Sequence, residues 1–161
     1  MPSKEHEELN IIAAKWLRKN GFSVVATNIG CSLSREVVDA IGFRETCSVL
    51  IESKVSRSDF KADMKKPERN GSLKGVGLYR LYICPEGLIK PEELPKGWGL
   101  IYVKSKKITQ QFFATGNYWL NEDFSDDENW GKWQHERDEA AEKSMLFSIA
   151  RRSLNKKPLY N

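Results

Sequence analysis

The sequence predicts an α/β domain in which helices flank one mixed β-sheet. Three observations favour it: apolar residues at helical spacing near both ends of the chain, short runs rich in β-branched residues between them, and a polar helical stretch that interrupts those runs. The 161 residues suffice for one domain, and a content of 40% hydrophobic and 30% charged residues is ordinary for a globular protein. Wholesale disorder, collagen-like repeats and coiled coil are therefore excluded.

The individual elements follow from the same patterns in chain order. A first helix is expected over 4–19, where apolar residues recur at helical spacing before Gly21. The predicted strands span residues 23–27, 37–43, 49–55, 78–84, 100–103 and 108–113, and a polar helix spans 58–68 between the third and fourth. A C-terminal amphipathic helix is expected from five apolar residues at helical spacing, namely Met145, Leu146, Ile149, Ala150 and Leu154.

The net charge of +4 conceals an uneven distribution along the chain. Residues 53–82 carry a net charge of +5, residues 121–142 carry −7, and residues 143–161 carry +5. The change of character after residue 120 divides the chain into 1–120, which holds the predicted sheet, and 121–161. We expect the second part to be an acidic segment, most simply a linker, followed by a basic helix packed on the same domain.

Cysteine usage and hydropathy indicate the cellular compartment. Cys31, Cys47 and Cys84 are odd in number, widely spaced and without a Cys-x-x-Cys pair, so neither a zinc site nor a disulfide framework is expected. No apolar run approaches the roughly 18 residues of a membrane span, and the charged N-terminus differs from a signal peptide. The expectation is a cytoplasmic protein with free thiols and no membrane partner.

Two carboxylates inside apolar strands are the candidates for chemistry. Asp39 lies within Val-Val-Asp-Ala-Ile, and Glu52 lies within Leu-Ile-Glu-Ser-Lys, where Lys54 shares its face because strand side chains alternate. If the two strands pair as a hairpin that turns near residues 45 and 46, Asp39 lies opposite about position 52. Adjacent carboxylates repel unless a cation separates them, so this pairing predicts a cation site.

The predicted oxygen ligands suit Mg²⁺ or Mn²⁺, which bind phosphate oxygens and activate water. Lys54 could orient that water or stabilise developing negative charge. The predicted reaction is metal-assisted phosphodiester hydrolysis. A surface ion pair produces the same spacing in many charged proteins and stands as the alternative.

Longer stretches of the sequence resemble a known superfamily. They are EVVDAIGF at 36–43, ESKVSRSDF at 52–60, DMKKP at 63–67, and the segments 79–85 and 91–100. Together they resemble small bacterial and phage-type members of the PD-(D/E)XK nucleases, over roughly residues 5–105. The resemblance implies a restriction-endonuclease-like fold for 1–120, a metal held by Asp39, Glu52 and the backbone carbonyl of Ser53, and Lys54 as the catalytic lysine.

Two positions depart from the superfamily pattern. Val38 stands where the motif has proline, a position at which no side-chain chemistry is required. The superfamily often adds a glutamate from the first helix. Here Glu5 and His6 lie nearer the apolar face of that helix than Glu7 or Glu8, and His6 is the candidate for this place in the catalytic site. Solvated charges at the start of a helix are the alternative interpretation of the same residues.

The basic stretch after the third strand predicts a nucleic-acid partner. Lys61, Lys65, Lys66 and Arg69 follow the proposed metal site and could neutralise phosphates without reading sequence. The predicted protein is thus a Mg²⁺- or Mn²⁺-dependent DNA endonuclease, for which a homodimer would allow cutting of both strands. The alternative is a catalytically silent module on the same fold that binds nucleic acid or a protein.

Overall fold

A six-stranded mixed sheet forms the centre of the protein. The computed structural model describes residues 2–157 and residue 159. The helices are α1 (Lys4–Lys19), α2 (Arg57–Met64), α3 (Pro67–Asn70) and α4 (Glu139–Lys156). The strands are β1 (Val24–Ile29), β2 (Val38–Phe43), β3 (Ser48–Ser53), β4 (Tyr79–Pro85), β5 (Trp98–Lys104) and β6 (Lys107–Phe112). The predicted α/β class, mixed sheet and C-terminal helix are confirmed.

The strands lie in the sheet in the order in which they occur in the chain. β1, β2 and β3 pair antiparallel, β3, β4 and β5 pair parallel, and β6 returns antiparallel to β5. The parallel pairs need crossovers, which α2 and α3 provide between β3 and β4. Helix α1 packs on one face of the sheet. Its residues Ala13 and Leu17 are fully buried in the same core cluster as Ala40 and Ile51 of the sheet.

The predicted helix over 58–68 is two helices in the structure. Helix α2 ends at Met64, and Pro67 begins the short helix α3. Proline has no N–H to donate and disfavours helical backbone at the residue before it, and Lys66 is accordingly extended (φ −66°, ψ 141°). The break turns the chain, so that Glu68 and Arg69 face inward and are buried.

The acidic segment is part of the fold and not a plain linker. Trp130 is 2% exposed and lies in the same core cluster as Tyr79 and Trp119. Glu142, in the first turn of α4, is buried and accepts hydrogen bonds from the Ser48 hydroxyl and the Gly77 N–H, both at 2.8 Å. Residues 121–142 are therefore fixed to the sheet through the middle of the segment and through its C-terminal end.

The C-terminal helix packs through its first half only. Met145 is fully buried, whereas Phe147 is 70% exposed and residues 150–157 are all exposed. The apolar face predicted from Met145 to Leu154 is thus buried only in the part of the helix before residue 150. No helix in the described part of the chain has the length and apolar character to span a membrane.

Candidate active site

The hairpin of β2 and β3 brings the two predicted carboxylates together. Ala40 pairs with Ile51 in this ladder, and the next step of the same register sets Asp39 opposite Glu52. Oδ2 of Asp39 accepts a 2.9 Å hydrogen bond from the backbone N–H of Ser53. The register predicted from the turn position is confirmed, and the Asp39 side chain bridges the ends of the two strands.

Glu52 is a buried carboxyl group in an unfavourable electrostatic environment. It is 3% exposed, and its Oε1 has no hydrogen-bond partner. Burial raises the pKa of Glu52 well above its usual value, and the neighbouring Asp39 carboxylate raises it further. Lys54 and Arg69, whose Nη2 lies 3.8 Å from Glu52 Oε1, act in the opposite direction and do not cancel these effects.

His6 contacts the same carboxylate pair from the start of α1. Its Nε2 lies 3.3 Å from Oδ1 of Asp39, and its Nδ1 is buried without a hydrogen-bond partner. The helix begins with Ser3 as its N-cap, whose hydroxyl accepts the N–H of His6. Since the cap sets where the helix starts, it places His6 beside Asp39 at the start of β2. Glu5, the neighbouring residue of the helix, is exposed instead.

A chain of polar side chains that the sequence analysis missed runs from buried Ser53 to the surface and supports this end of the sheet. The Ser53 hydroxyl donates to Oδ1 of Asn10 (2.6 Å), whose amide donates to Asn28 (3.2 Å), which in turn donates to Glu7 (3.2 Å). Asn10 is fully buried. The sequence did offer one indication of a buried role for Asn10. It lies four residues after His6, on the face of α1 that otherwise carries apolar residues.

Lys54 and three other side chains converge on Asp63, and Glu36 contacts two of them; we call this group the Asp63 cluster. Its members are Glu36, Lys54, Asp63, Lys66, Arg69 and Tyr82. Lys54 Nζ lies 3.3 Å from Asp63 Oδ1, and the Tyr82 hydroxyl donates to Oδ2 at 2.6 Å. Burial alone would raise the pKa of Asp63, but hydrogen bonds from Arg69 and the charge of Lys54 hold it well below its usual range.

The structure separates the four predicted nucleic-acid-binding residues into two pairs. The side chain of Arg69 is 1% exposed, and its guanidinium donates to Asp63 (2.7 Å) and Glu36 (3.0 Å). Lys66 contacts the same two carboxylates, each at 3.0 Å. Lys61 and Lys65 are exposed on α2 and its C-cap. Arg69 is therefore internal and not available to a phosphate on the surface, because the turn at Pro67 directs it into the fold.

The donor set of the site fits a hard divalent cation. Two adjacent carboxylates, one of them with a free buried oxygen, match the one or two carboxylates with which proteins hold Mg²⁺ among water ligands. Ser53 follows Glu52 at the end of β3, beside Asp39. Within the part of the chain that the structure describes, no three His, Cys, Asp or Glu side chains cluster as a metal site. The fit therefore rests on Asp39 and Glu52.

Comparisons with known proteins add a likeness of fold. No family model and no curated protein matches the chain. Among solved structures, the chain is similar to a protein of unknown function from Silicibacter pomeroyi, with a TM-score of 0.61 and 19% sequence identity. The likeness covers 98% of this chain and 94% of that one. It shows a likeness of fold alone over nearly the whole of both chains.

Proposed function

We propose that this protein is a metal-dependent DNA endonuclease of the PD-(D/E)XK type, on a restriction-endonuclease-like fold. The observation that carries the proposal is the adjacent pair Asp39 and Glu52, with an unpartnered buried oxygen on Glu52. Folding leaves two carboxylates together at the end of one hairpin, and a bound cation would relieve their repulsion. The sequence resemblance and the mixed sheet give further support.

Asp39, Glu52 and the backbone carbonyl of Ser53 would hold Mg²⁺ or Mn²⁺ in this proposal. When bound, such an ion supplies an activated water and a counter-charge for the phosphate oxygens. His6 and the Ser53 N–H contact the two oxygens of Asp39 and fix the direction of its carboxylate. The chain thereby holds the Asp39 carboxylate in place before a substrate arrives.

Lys54 would stabilise the negative charge that develops on the scissile phosphate. The Lys54 side chain is 11% exposed and its ammonium lies 3.3 Å from Asp63, so it is largely desolvated and oriented. An ammonium in such a place acts more strongly on a nearby anion than one in water does. Lys61 and Lys65, exposed on the adjoining helix, would contact the flanking phosphates of DNA without reading its sequence.

The test combines metal binding with DNA nicking. We expect Mn²⁺ to bind the wild-type protein by calorimetry and to support nicking of supercoiled plasmid or branched DNA. Asp39→Asn and Glu52→Gln should abolish nicking and weaken Mn²⁺ binding. Glu45→Gln, an exposed carboxylate at the turn of the same hairpin, is the matched control and should retain both properties.

Two results would decide against the proposal. Unchanged nicking in both Asp39→Asn and Glu52→Gln would exclude these carboxylates from the reaction. DNA binding without metal dependence and without product, across plasmid and branched substrates, would instead support the catalytically silent binding module. Circular dichroism of each variant verifies that a lost activity does not reflect a lost fold.

A further inference from the structure

A groove runs along the outer side of α1, away from the Asp63 cluster. It lies between α1 and β6, has a volume of about 870 Å³, and opens to solvent. Its α1 residues recur at helical spacing and form one stripe, which comprises Glu8, Ile11, Ile12, Lys15, Trp16 and Lys19. The opposite wall comes from β6 and the turn before it. The groove thus has one helical wall and one strand wall.

The floor of the groove is aliphatic. Ile11 is 52% exposed on α1, and Ile12 and Ile108 are partly buried on the two walls. Trp16 is only 7% exposed, so its ring packs in the core and is not available for stacking. An exposed isoleucine beside two half-buried ones is apolar surface that a partner with apolar side chains would cover.

The rim of the groove is basic. Lys15, Lys19, Lys106 and Lys107 surround the floor. Of these four lysines, only Lys106 has a carboxylate of the described residues within ion-pair distance, since its Nζ lies 4.0 Å from Glu8 Oε1. Four ammonium groups against one carboxylate leave a positive charge that a complementary partner would neutralise.

The strand wall is an edge of the sheet. β6 pairs with β5 on one side and is the last strand of the six-stranded order. Residues 109–111 of β6 are all exposed. Edge strands offer backbone groups to an extended peptide, which can add as a further strand while its side chains enter a neighbouring groove.

We propose that the groove between α1 and β6 binds an acidic peptide segment of a protein partner, one that carries aliphatic side chains between its carboxylates. The aliphatic floor takes the apolar side chains, and the lysine rim takes the carboxylates. A nucleic-acid strand fits less well, because base stacking needs an exposed aromatic ring and Trp16 is buried. This proposal does not depend on the proposed nuclease activity.

The test uses a fluorescein-labelled peptide that alternates glutamate and valine, measured by fluorescence anisotropy with the full chain. We expect saturable binding that weakens as salt is raised, since the rim charges are exposed. Combining Lys15→Glu with Lys107→Glu should weaken binding about tenfold or more, because each reversal replaces an attraction by a repulsion. Ile11→Ser should also weaken it, whereas a peptide of alternating glutamine and valine should bind poorly to the wild type.

Matched controls are available elsewhere on the surface. Lys143→Glu on α4 and Leu33→Ser, at an exposed apolar position before β2, should bind the peptide as the wild type does. Equal losses in control and groove variants would overturn the proposal, since binding would then follow net charge alone. Binding of an oligonucleotide but not of the peptide, lost in the groove variants, would overturn it in favour of a nucleic-acid surface. Self-association lost in the same variants, without peptide binding, would assign the groove to a second copy.

Discussion

Replacement of Glu52 by glutamine should stabilise the metal-free protein at neutral pH. The variant keeps the size and shape of the side chain and removes a charge that burial and Asp39 both disfavour. At an effective dielectric constant of about 20, attraction from Arg69 at 3.8 Å is worth about 4 kcal/mol to the carboxylate. The pKa of Glu52 is nevertheless raised, so the unfavourable effects exceed this attraction and that of Lys54 together.

The sign of the pH dependence follows from the raised pKa. At pH values between the usual pKa of a glutamate, near 4.5, and the higher pKa of Glu52 in the folded protein, Glu52 is protonated when the chain is folded and ionised when it is unfolded. Its contribution to stability is therefore complete below about pH 4.5 and is lost as the pH rises through the folded-state pKa. Glutamine stays neutral throughout, so Glu52→Gln should match the wild type in acid and exceed it at neutral pH.

We expect a gain of about 2 kcal/mol in the free energy of unfolding, a typical value for removing a poorly compensated buried charge. For a chain of this size, that gain corresponds to a rise in Tm of about 4–8 °C. Urea unfolding with EDTA at pH 4 and pH 7.5 measures it, with Glu45→Gln as the control. Mn²⁺ should then stabilise the wild type and not Glu52→Gln. A variant less stable than the wild type at pH 7.5 would refute the reasoning.

Three further predictions concern the groups around the site. Asp63→Asn should lower the free energy of unfolding by about 3–5 kcal/mol in urea, because it leaves the buried cations of its cluster without their shared carboxylate. Trp130→Ala should cost about 3–5 kcal/mol in the same measurement, and a loss below 1 kcal/mol would show that the acidic segment is loosely attached. Burial raises the pKa of Cys47 and Cys84 to about 11, so both thiols should resist a disulfide reagent at pH 8 until urea unfolds the chain.

The carboxylate pair was predictable because its determinants are local. Alternation along a strand has a period of two, and the position of the turn between β2 and β3 sets which residues face each other. Asp39 and Glu52 are 13 positions apart, within one hairpin. Their charged character inside apolar runs was visible without any knowledge of the rest of the fold.

The Asp63 cluster was not predictable in the same way. Arg69 resembles any basic residue on a polar helix until the break at Pro67 turns it inward, and its partner Glu36 lies 33 residues earlier in the chain. Glu142 likewise belongs to a strongly acidic stretch, yet its contacts with Ser48 and Gly77 bury it. Such pairings depend on tertiary packing. Neither the periodicity of apolar residues nor the net charge of a sequence segment predicts them.

Comparison with other buried carboxylates of this fold shows what distinguishes Glu52. Asp63 accepts from Arg69 and Tyr82 and lies within 3.3 Å of two lysines, and its pKa is lowered. Glu142 is held by Ser48, a backbone N–H and an arginine. Glu68 is also buried with one unpartnered oxygen, but its other oxygen accepts from Arg35 and its pKa is lowered. Glu52 differs from these three in having a second carboxylate beside it and a raised pKa, which costs stability and is the arrangement that the proposed cation would relieve.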